Sequence, residues 1–257
     1  VPEKVAVGDT LQMLNLGGVI GTGAVAAPGI GEPFRLEVLG SVLEFQYFER
    51  RIGRPASVAG AALPAPEVGP DFWRALPPVI ALVGTCMNAG KTTAACALVS
   101  GLSRRGLKVA AGKLTGVSLR RDVYEMADCG ADPVALFTDF GVVTSNEHNA
   151  VPAARALIAH LATSPLERPD VLVLEFGDGL LGTYGVQALL SDADIAGSIA
   201  RTVLCAQDPV GAWGGAELLK KHYGLDTDLI CGRVTDTPAG LRYCRERLGV
   251  PTWNALT

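Results

Sequence analysis

The sequence predicts an α/β fold: a mostly parallel sheet with helices on both faces, preceded by a small β-rich module. Three observations carry this expectation. From Val79 onward, short continuous apolar runs alternate with helix-like stretches, the pattern of strands buried on both faces. A glycine-bounded loop ending in Gly90-Lys91-Thr92 joins the first run to the first helix. Residues 1–54 differ in texture, with short extended runs set apart by Gly-Gly, Pro-Gly and Gly-Glu-Pro turns, as antiparallel strands require.

Taken in order, residues 1–54 are expected to form the β-rich module, with strands at Thr10–Leu14, Phe34–Leu39 and Val42–Phe48. Gly17, Gly18, Gly21 and Gly23 read as turns and bulges, because no long amphipathic helix follows them to make a dinucleotide site. Residues 55–78 hold six of the sixteen prolines. They read as a linker with a short Asp71–Leu76 segment, since proline removes backbone donors and favours extended chain. Residues 79–257 form the nucleotide-binding domain. Its strands are expected at Val79–Val83, Lys108–Ala111, Val134–Thr138, Val171–Glu175, Val203–Ala206 and Leu229–Cys231. Helices are expected at Gly90–Arg105, Leu119–Cys129, Pro152–Leu161, Gly214–Tyr223 and Pro238–Leu248. Such sheets bind ligands beyond the carboxyl ends of their strands, so the loops after each strand are the informative ones.

Composition removes several classes. The 257 residues carry 22 basic and 26 acidic side chains, a net charge of −4, with 49 % apolar and 19 % charged residues. That excludes a disordered chain, and a pI near 5.4 argues against a protein held to nucleic acid by phosphate contacts. The six cysteines contain no CxxC pair and several lie in apolar runs, the usage of buried thiols in a reducing cytoplasm. The start of the sequence shows no signal peptide. No apolar run reaches the roughly 18 to 20 residues of a membrane span, so neither a membrane nor a nucleic acid is an expected partner.

The loop Gly84-Thr85-Cys86-Met87-Asn88-Ala89-Gly90-Lys91-Thr92-Thr93 has the chemistry of a phosphate cradle. Backbone N–H groups turn inward and the following helix adds partial positive charge. Gly90 lets the backbone approach, Lys91 reaches the phosphates as a catalytic charge, and the Thr92 hydroxyl is an Mg²⁺ ligand. Gly84, Thr85, Asn88, Ala89 and Thr93 complete the nucleotide contacts. Five residues separate Gly84 from Gly90 where the usual pattern has four.

This spacing resembles the loop of dethiobiotin synthetase and its relatives, including cobyrinate amidases. Three further segments follow in order. Ala111-Gly112-Lys113-Leu114-Thr115-Gly116 is similar to a lysine-bearing segment of that family. Leu174-Glu175-Phe176-Gly177-Asp178-Gly179 is similar to its Glu-Gly-Ala-Gly-Gly, and Cys231–Gly240 to its base-binding Asn-Asp-x-x-x-Pro-Gly loop. The segments also resemble a P-loop group that includes a D-glutamate N-acetyltransferase, in which a different domain precedes the loop. The family's substrate-carboxylate segment has no counterpart, and its adenine-reading asparagine falls near Arg233 and Val234. The resemblance therefore implies a reaction class without implying dethiobiotin synthesis. It implies that Lys113 holds the phosphate or activated group, that Glu175 is a metal ligand with Asp178 as the fallback, and that Arg233 lies at the base pocket.

The strand ends agree with that assignment. Lys113 follows a buried strand, where an unpaired charge would be costly. Glu175 closes an apolar strand facing the loop, the usual Mg²⁺ position in this architecture. Asp122, Asp128, Asp132 and Asp139 compete for a second metal carboxylate, and Asp139 ranks slightly above Asp122 because it follows a strand directly. The polar stretch 144–149 reads as a capping loop. No Asn-Lys-x-Asp run occurs, which favours ATP over GTP, with Gln207-Asp208-Pro209 and Arg233–Thr237 as candidate walls.

The expected function is an ATP- and Mg²⁺-dependent enzyme that activates a small-molecule carboxylate or carbamate by phosphoryl transfer, working in the cytoplasm as a homo-oligomer. Two alternatives stay open: an acyltransferase that uses the loop for coenzyme A phosphates, and a regulatory P-loop ATPase.

Overall fold

A computed structural model describes residues 4–15, 17–23, 31–45, 47, 49, 51–163 and 168–257. The main domain is a six-stranded sheet in which every neighbouring pair is parallel. Its strands are β6 (Val79–Gly84), β7 (Val109–Lys113), β8 (Ala131–Leu136), β9 (Val171–Glu175), β10 (Ile199–Cys205) and β11 (Leu229–Cys231), ordered β11-β10-β6-β9-β7-β8. Helices α1 (Lys91–Ser103), α2 (Arg120–Asp128), α3 (Ala150–Ala162), α4 (Val186–Ser191), α5 (Ala193–Ser198), α6 (Pro209–Tyr223) and α7 (Pro238–Glu246) cover it. This is the P-loop NTPase-type α/β fold.

Strand alternation assigns the faces. Val79, Ala81 and Val83 of β6, with Leu172 and Leu174 of β9, pack under α3, α4, α6 and α7. Leu82 of β6, with Val171 and Val173 of β9, packs under α1 and α2. Glycine is required where chains converge: a Cβ on Gly112 of β7 would lie 2.7 Å from the Leu157 side chain of α3.

Most elements match their expected positions, and the departures have local causes. β8 begins before Val134 and carries Pro133, which an edge strand tolerates because one side needs no ladder donor. The expected strand residues Phe137 and Thr138 instead turn into a 3-10 segment, Phe137–Phe140. α6 starts at Pro209 rather than Gly214, because Asp208 accepts from the Gly211 N–H at 2.8 Å and Pro209 fits the first helical turn. α4 and α5 had no counterpart in the expectation. Each is six residues long, and the Asp192 side chain caps the second by accepting from Asp194 N and Ile195 N.

Ahead of this domain, β1 (Thr10–Met13) pairs antiparallel with β2 (Ile20–Gly21) and β3 (Arg35–Glu37). β4 (Leu43–Glu44) pairs with β5 (Arg54–Pro55), which straddles the expected boundary at residue 54. The strands are shorter than expected, and Gln46 and Phe48 of the third lie outside the described residues. The proline-rich segment follows the domain surface: Leu63 N donates to Asp139 O at 2.7 Å. Its 3-10 turn Phe72–Ala75 puts Trp73 against the core, with the Arg155 guanidinium 5.2 Å from the ring centroid. No helix among the described residues is long and apolar enough to cross a membrane.

Candidate nucleotide site

A cleft of about 910 Å³ opens at the carboxyl ends of β6, β7, β9 and β11. Its floor is the loop after β6. Asn88 (φ 59°) and Gly90 (φ 98°) take left-handed backbone and turn the chain into α1. Lys91 folds back over Gly84 and donates to the Cys86 carbonyl at 3.0 Å. A Cβ on Gly84 would lie 2.7 Å from the lysine Nζ, and one on Gly232 would lie 2.1 Å from the Ala89 carbonyl. The glycines thus keep open the space that the loop and its lysine occupy.

Four charged side chains are buried around this loop: Lys91, Lys113, Asp122 and Glu175. The Thr92 hydroxyl donates to Glu175 Oε2 at 3.0 Å, and the Lys113 ammonium donates to Asp122 Oδ2. Burial pushes the Glu175 carboxyl above the usual carboxylate range, against the pull of Lys113 and Lys91. Burial likewise lowers the Lys91 ammonium, against the attraction of Glu175. Two cations and two anions compensate each other in number, but the desolvated site still disfavours charge on Lys91 and Glu175. An incoming polyanion with its cation would restore the solvation these groups have lost.

Of the expected site residues, Asn88, Gly90, Lys91, Thr92, Thr93, Lys113, Glu175 and Arg233 line the cleft together, with Asp178 beside them. Gly84, Thr85 and Ala89 do not line it. Thr85 turns toward α6, where its Oγ1 accepts from Gln207 N at 3.3 Å and its methyl packs near Gly211 and Gly215. Of the two carboxylates ranked highest for a second metal site, Asp122 lines the cleft and Asp139 does not. Asp139 pairs with Arg120 and accepts from Leu136 N at 2.8 Å, away from the cleft, whereas Asp122 is buried in the cleft wall on Lys113. A legible signal was available: Leu119, Asp122, Val123 and Met126 share one helical face, and its apolar members turn inward. Asp128 and Asp132 are exposed. Gln207–Pro209 do not line the cleft, and Asp208 is spent as the α6 cap.

The cleft also contains residues that the motifs did not point to. Asn254 donates to Thr235 O and to Asp236 Oδ1, both at 3.1 Å, and so fixes the wall opposite the loop. Asn15 and Gly17 come from the β-rich module. Gly17 lies so close that its Cβ would be 2.0 Å from the Ser118 carbonyl, and Asn15 Oδ1 holds the turn by accepting from Gly17 N at 2.9 Å. Ser145 accepts from Gly116 N and donates to Tyr184 O, each at 2.7 Å. In the 144–149 stretch Asn146 and Asn149 accept from each other's backbone N–H, as a turn-forming loop does.

Among the described residues no three His, Cys, Asp or Glu side chains gather to hold a metal unaided. The donor set nevertheless fits Mg²⁺. A hydroxyl and a carboxylate 3.0 Å apart are hard oxygen ligands, and Mg²⁺ commonly takes one or two protein oxygens and completes its shell with phosphates and water.

No protein-family model and no curated protein matches the chain. Solved structures do. Chloroplast FtsY of Physcomitrella patens is 13 % identical with a TM-score of 0.44, covering 76 % of this chain and 62 % of its own. A DUF1611 family protein of Anabaena variabilis is 17 % identical with a TM-score of 0.47, covering 75 % and 58 %. The signal recognition particle 54 kDa protein of Aeropyrum pernix, solved in complex with GDP, is 18 % identical with a TM-score of 0.46, covering 76 % and 45 %. The chain spans less than two thirds of the length of these structures.

Proposed function

We propose that the protein is a Mg²⁺-dependent enzyme that uses ATP to phosphorylate a small-molecule carboxylate or carbamate, as the resemblance to the dethiobiotin synthetase-like family implies, and that it acts as a homo-oligomer. The observation that carries this is the burial of Lys91, Lys113, Asp122 and Glu175 around one glycine-rich loop. Purely structural charges seldom gather in this way, because each desolvation is costly unless a ligand repays it.

The loop N–H groups and Lys91 bind the β- and γ-phosphates. Thr92 and Glu175 would hold the metal, which would supply charge stabilisation for the transferred group. Lys113 orients the acceptor oxyanion, and Asp122 fixes the Lys113 ammonium at the cleft wall. The acceptor oxygen forms a bond to the γ-phosphorus as the bond to ADP breaks, and a nitrogen nucleophile then displaces phosphate. Asn15 and Gly17 close the acceptor end and limit its access to water. The exposed Phe34, Leu39 and Val42 of the β-rich module are the surface for another copy.

The test is thermal denaturation with ATP, GTP or acetyl-coenzyme A, each with and without Mg²⁺. A ligand at 100 times its Kd stabilises by about 2.7 kcal/mol. The expected result is a Mg²⁺-dependent rise with ATP. A rise with acetyl-coenzyme A alone would replace this reading by the acyltransferase one.

A further inference from the structure

Asp178 stands in the turn Phe176-Gly177-Asp178-Gly179 that follows β9, half-buried and lining the cleft. Its neighbours fix its place. A Cβ on Gly177 would lie 2.1 Å from the Thr115 carbonyl and 3.0 Å from Lys113 Cε, at the end of β7. A Cβ on Gly179 would lie 2.8 Å from the Thr85 carbonyl and 2.9 Å from Cys86 Cα, in the phosphate loop. Asp178 therefore bridges the two strand ends, at the junction where a group held by Lys113 would meet a phosphate held by Lys91.

The backbone there is held in an uncommon conformation. Asp178 has φ 79°, whereas Gly177 and Gly179 on either side, which could take a left-handed angle at less cost, do not. A residue other than glycine kept at such an angle points to a use for its side chain. The carboxylate Oδ2 lies against Gly182, where a Cβ would come within 1.8 Å of it. Among the described residues this carboxylate makes no hydrogen bond or ion pair. The other acids of the cleft are all engaged: Asp122 with Lys113, Glu125 with Arg121, Glu175 with Thr92 and Asp236 with Asn254. The charge that Asp178 faces is the Lys91 ammonium.

We infer that Asp178 is a catalytic base, whose carboxylate takes the proton from the nucleophile that attacks at this junction; the inference rests on the nucleotide-site reading. In the reaction proposed above, the amine nitrogen bonds to the phosphorylated carbonyl carbon, the C–O bond to phosphate breaks, and the N–H proton passes to Asp178. When water stands in place of the acceptor, its oxygen bonds to the γ-phosphorus and the bond to ADP breaks, with the electron pair leaving on ADP. The water proton passes to the same carboxylate and then to solvent through the open cleft.

The test uses the full chain, with Mg²⁺·ATP as substrate and water as the nucleophile. ADP release is measured for wild type, for Asp178→Asn, which keeps the shape and tolerates the left-handed angle, and for Asp178→Gly, which leaves room for a small carboxylate. Calorimetry gives the affinity of each protein for Mg²⁺·ATP. Both variants are expected to bind within about threefold of wild type and to release ADP about a hundredfold more slowly. Sodium formate is expected to raise the rate of Asp178→Gly by about tenfold or more, with sodium chloride at the same concentration inert. A purely structural aspartate would not be replaced by free formate. A wild-type rate in Asp178→Asn overturns the inference. So does an Asp178→Gly that formate does not restore, or a wild type that binds Mg²⁺·ATP and releases no ADP. If wild type binds no Mg²⁺·ATP, the nucleotide reading itself fails and takes the inference with it.

Discussion

Glu175 and Lys91 occupy places that disfavour their charge, and this has opposite pH signatures. A carboxyl held above its unfolded value binds its proton more tightly in the folded state. Its favourable contribution is present at acid pH and is lost as pH rises from the unfolded value through the folded one. An ammonium held below 10.5 has the reverse effect, and stability rises as pH climbs from its folded value to 10.5. Glu175→Gln mimics the protonated acid, so the ligand-free variant is expected to melt higher at neutral pH. A gain of about 1 kcal/mol corresponds to roughly 2–4 °C for a domain of this size. Calorimetric melting of wild type and variant checks this, and a lower melting temperature for the variant counts against it. The same variant is expected to bind ATP while its Mg²⁺-dependent turnover falls about a hundredfold or more, because the metal acts on charge that develops during transfer. Wild-type turnover in Glu175→Gln would remove this residue from the site. Lys91 and Glu175 were legible in the sequence because motif and strand end place them directly. Asn254 was not, since its position against Asp236 depends on a chain return from β11 that no local pattern records.

The elements that position the site are strand ends whose loops pack without spare room. Gly232 has φ 89°, and its Cβ would lie 2.1 Å from the Ala89 carbonyl. Gly232→Ala is therefore expected to destabilise the fold by about 1–3 kcal/mol and to weaken Mg²⁺·ATP binding together with it. Urea unfolding and calorimetric titration measure the two effects, and an unchanged variant in both would show that the loop tolerates displacement. The core of this architecture was readable because its buried central strands leave continuous apolar runs, as at Val171–Leu174. The start of α6 was misplaced because a side-chain cap, Asp208, rather than periodicity sets it, and the short α5, capped by Asp192, was missed altogether. β8 was foreshortened in the expectation because Pro133 looks like a strand breaker until the strand is known to be an edge.

At the scale of the molecule, the β-rich module is tied to the cleft yet poorly covered. Leu11 is its one buried apolar side chain among the described residues, while Phe34, Leu39 and Val42 are 77 %, 83 % and 80 % exposed. The chain exposes 14560 Å², against about 10,700 Å² for a compact monomer of this mass. Removal of residues 1–56 leaves Leu63, Trp73 and Leu76 in place on the domain. The shortened protein is expected to lose its oligomeric state by light scattering or to lose catalytic rate, because Asn15 and Gly17 leave the cleft. If both are retained, the module is an independent appendage. The central claim, that the loop after β6 is a Mg²⁺·ATP site, is tested most directly by calorimetric titration of Mg²⁺·ATP into wild type and Lys91→Ala, with circular dichroism as the control for folding. The account predicts saturable binding to wild type and a loss of at least about a hundredfold in the variant, roughly 2.7 kcal/mol, with unchanged spectra. Equal affinity in the two proteins would contradict it.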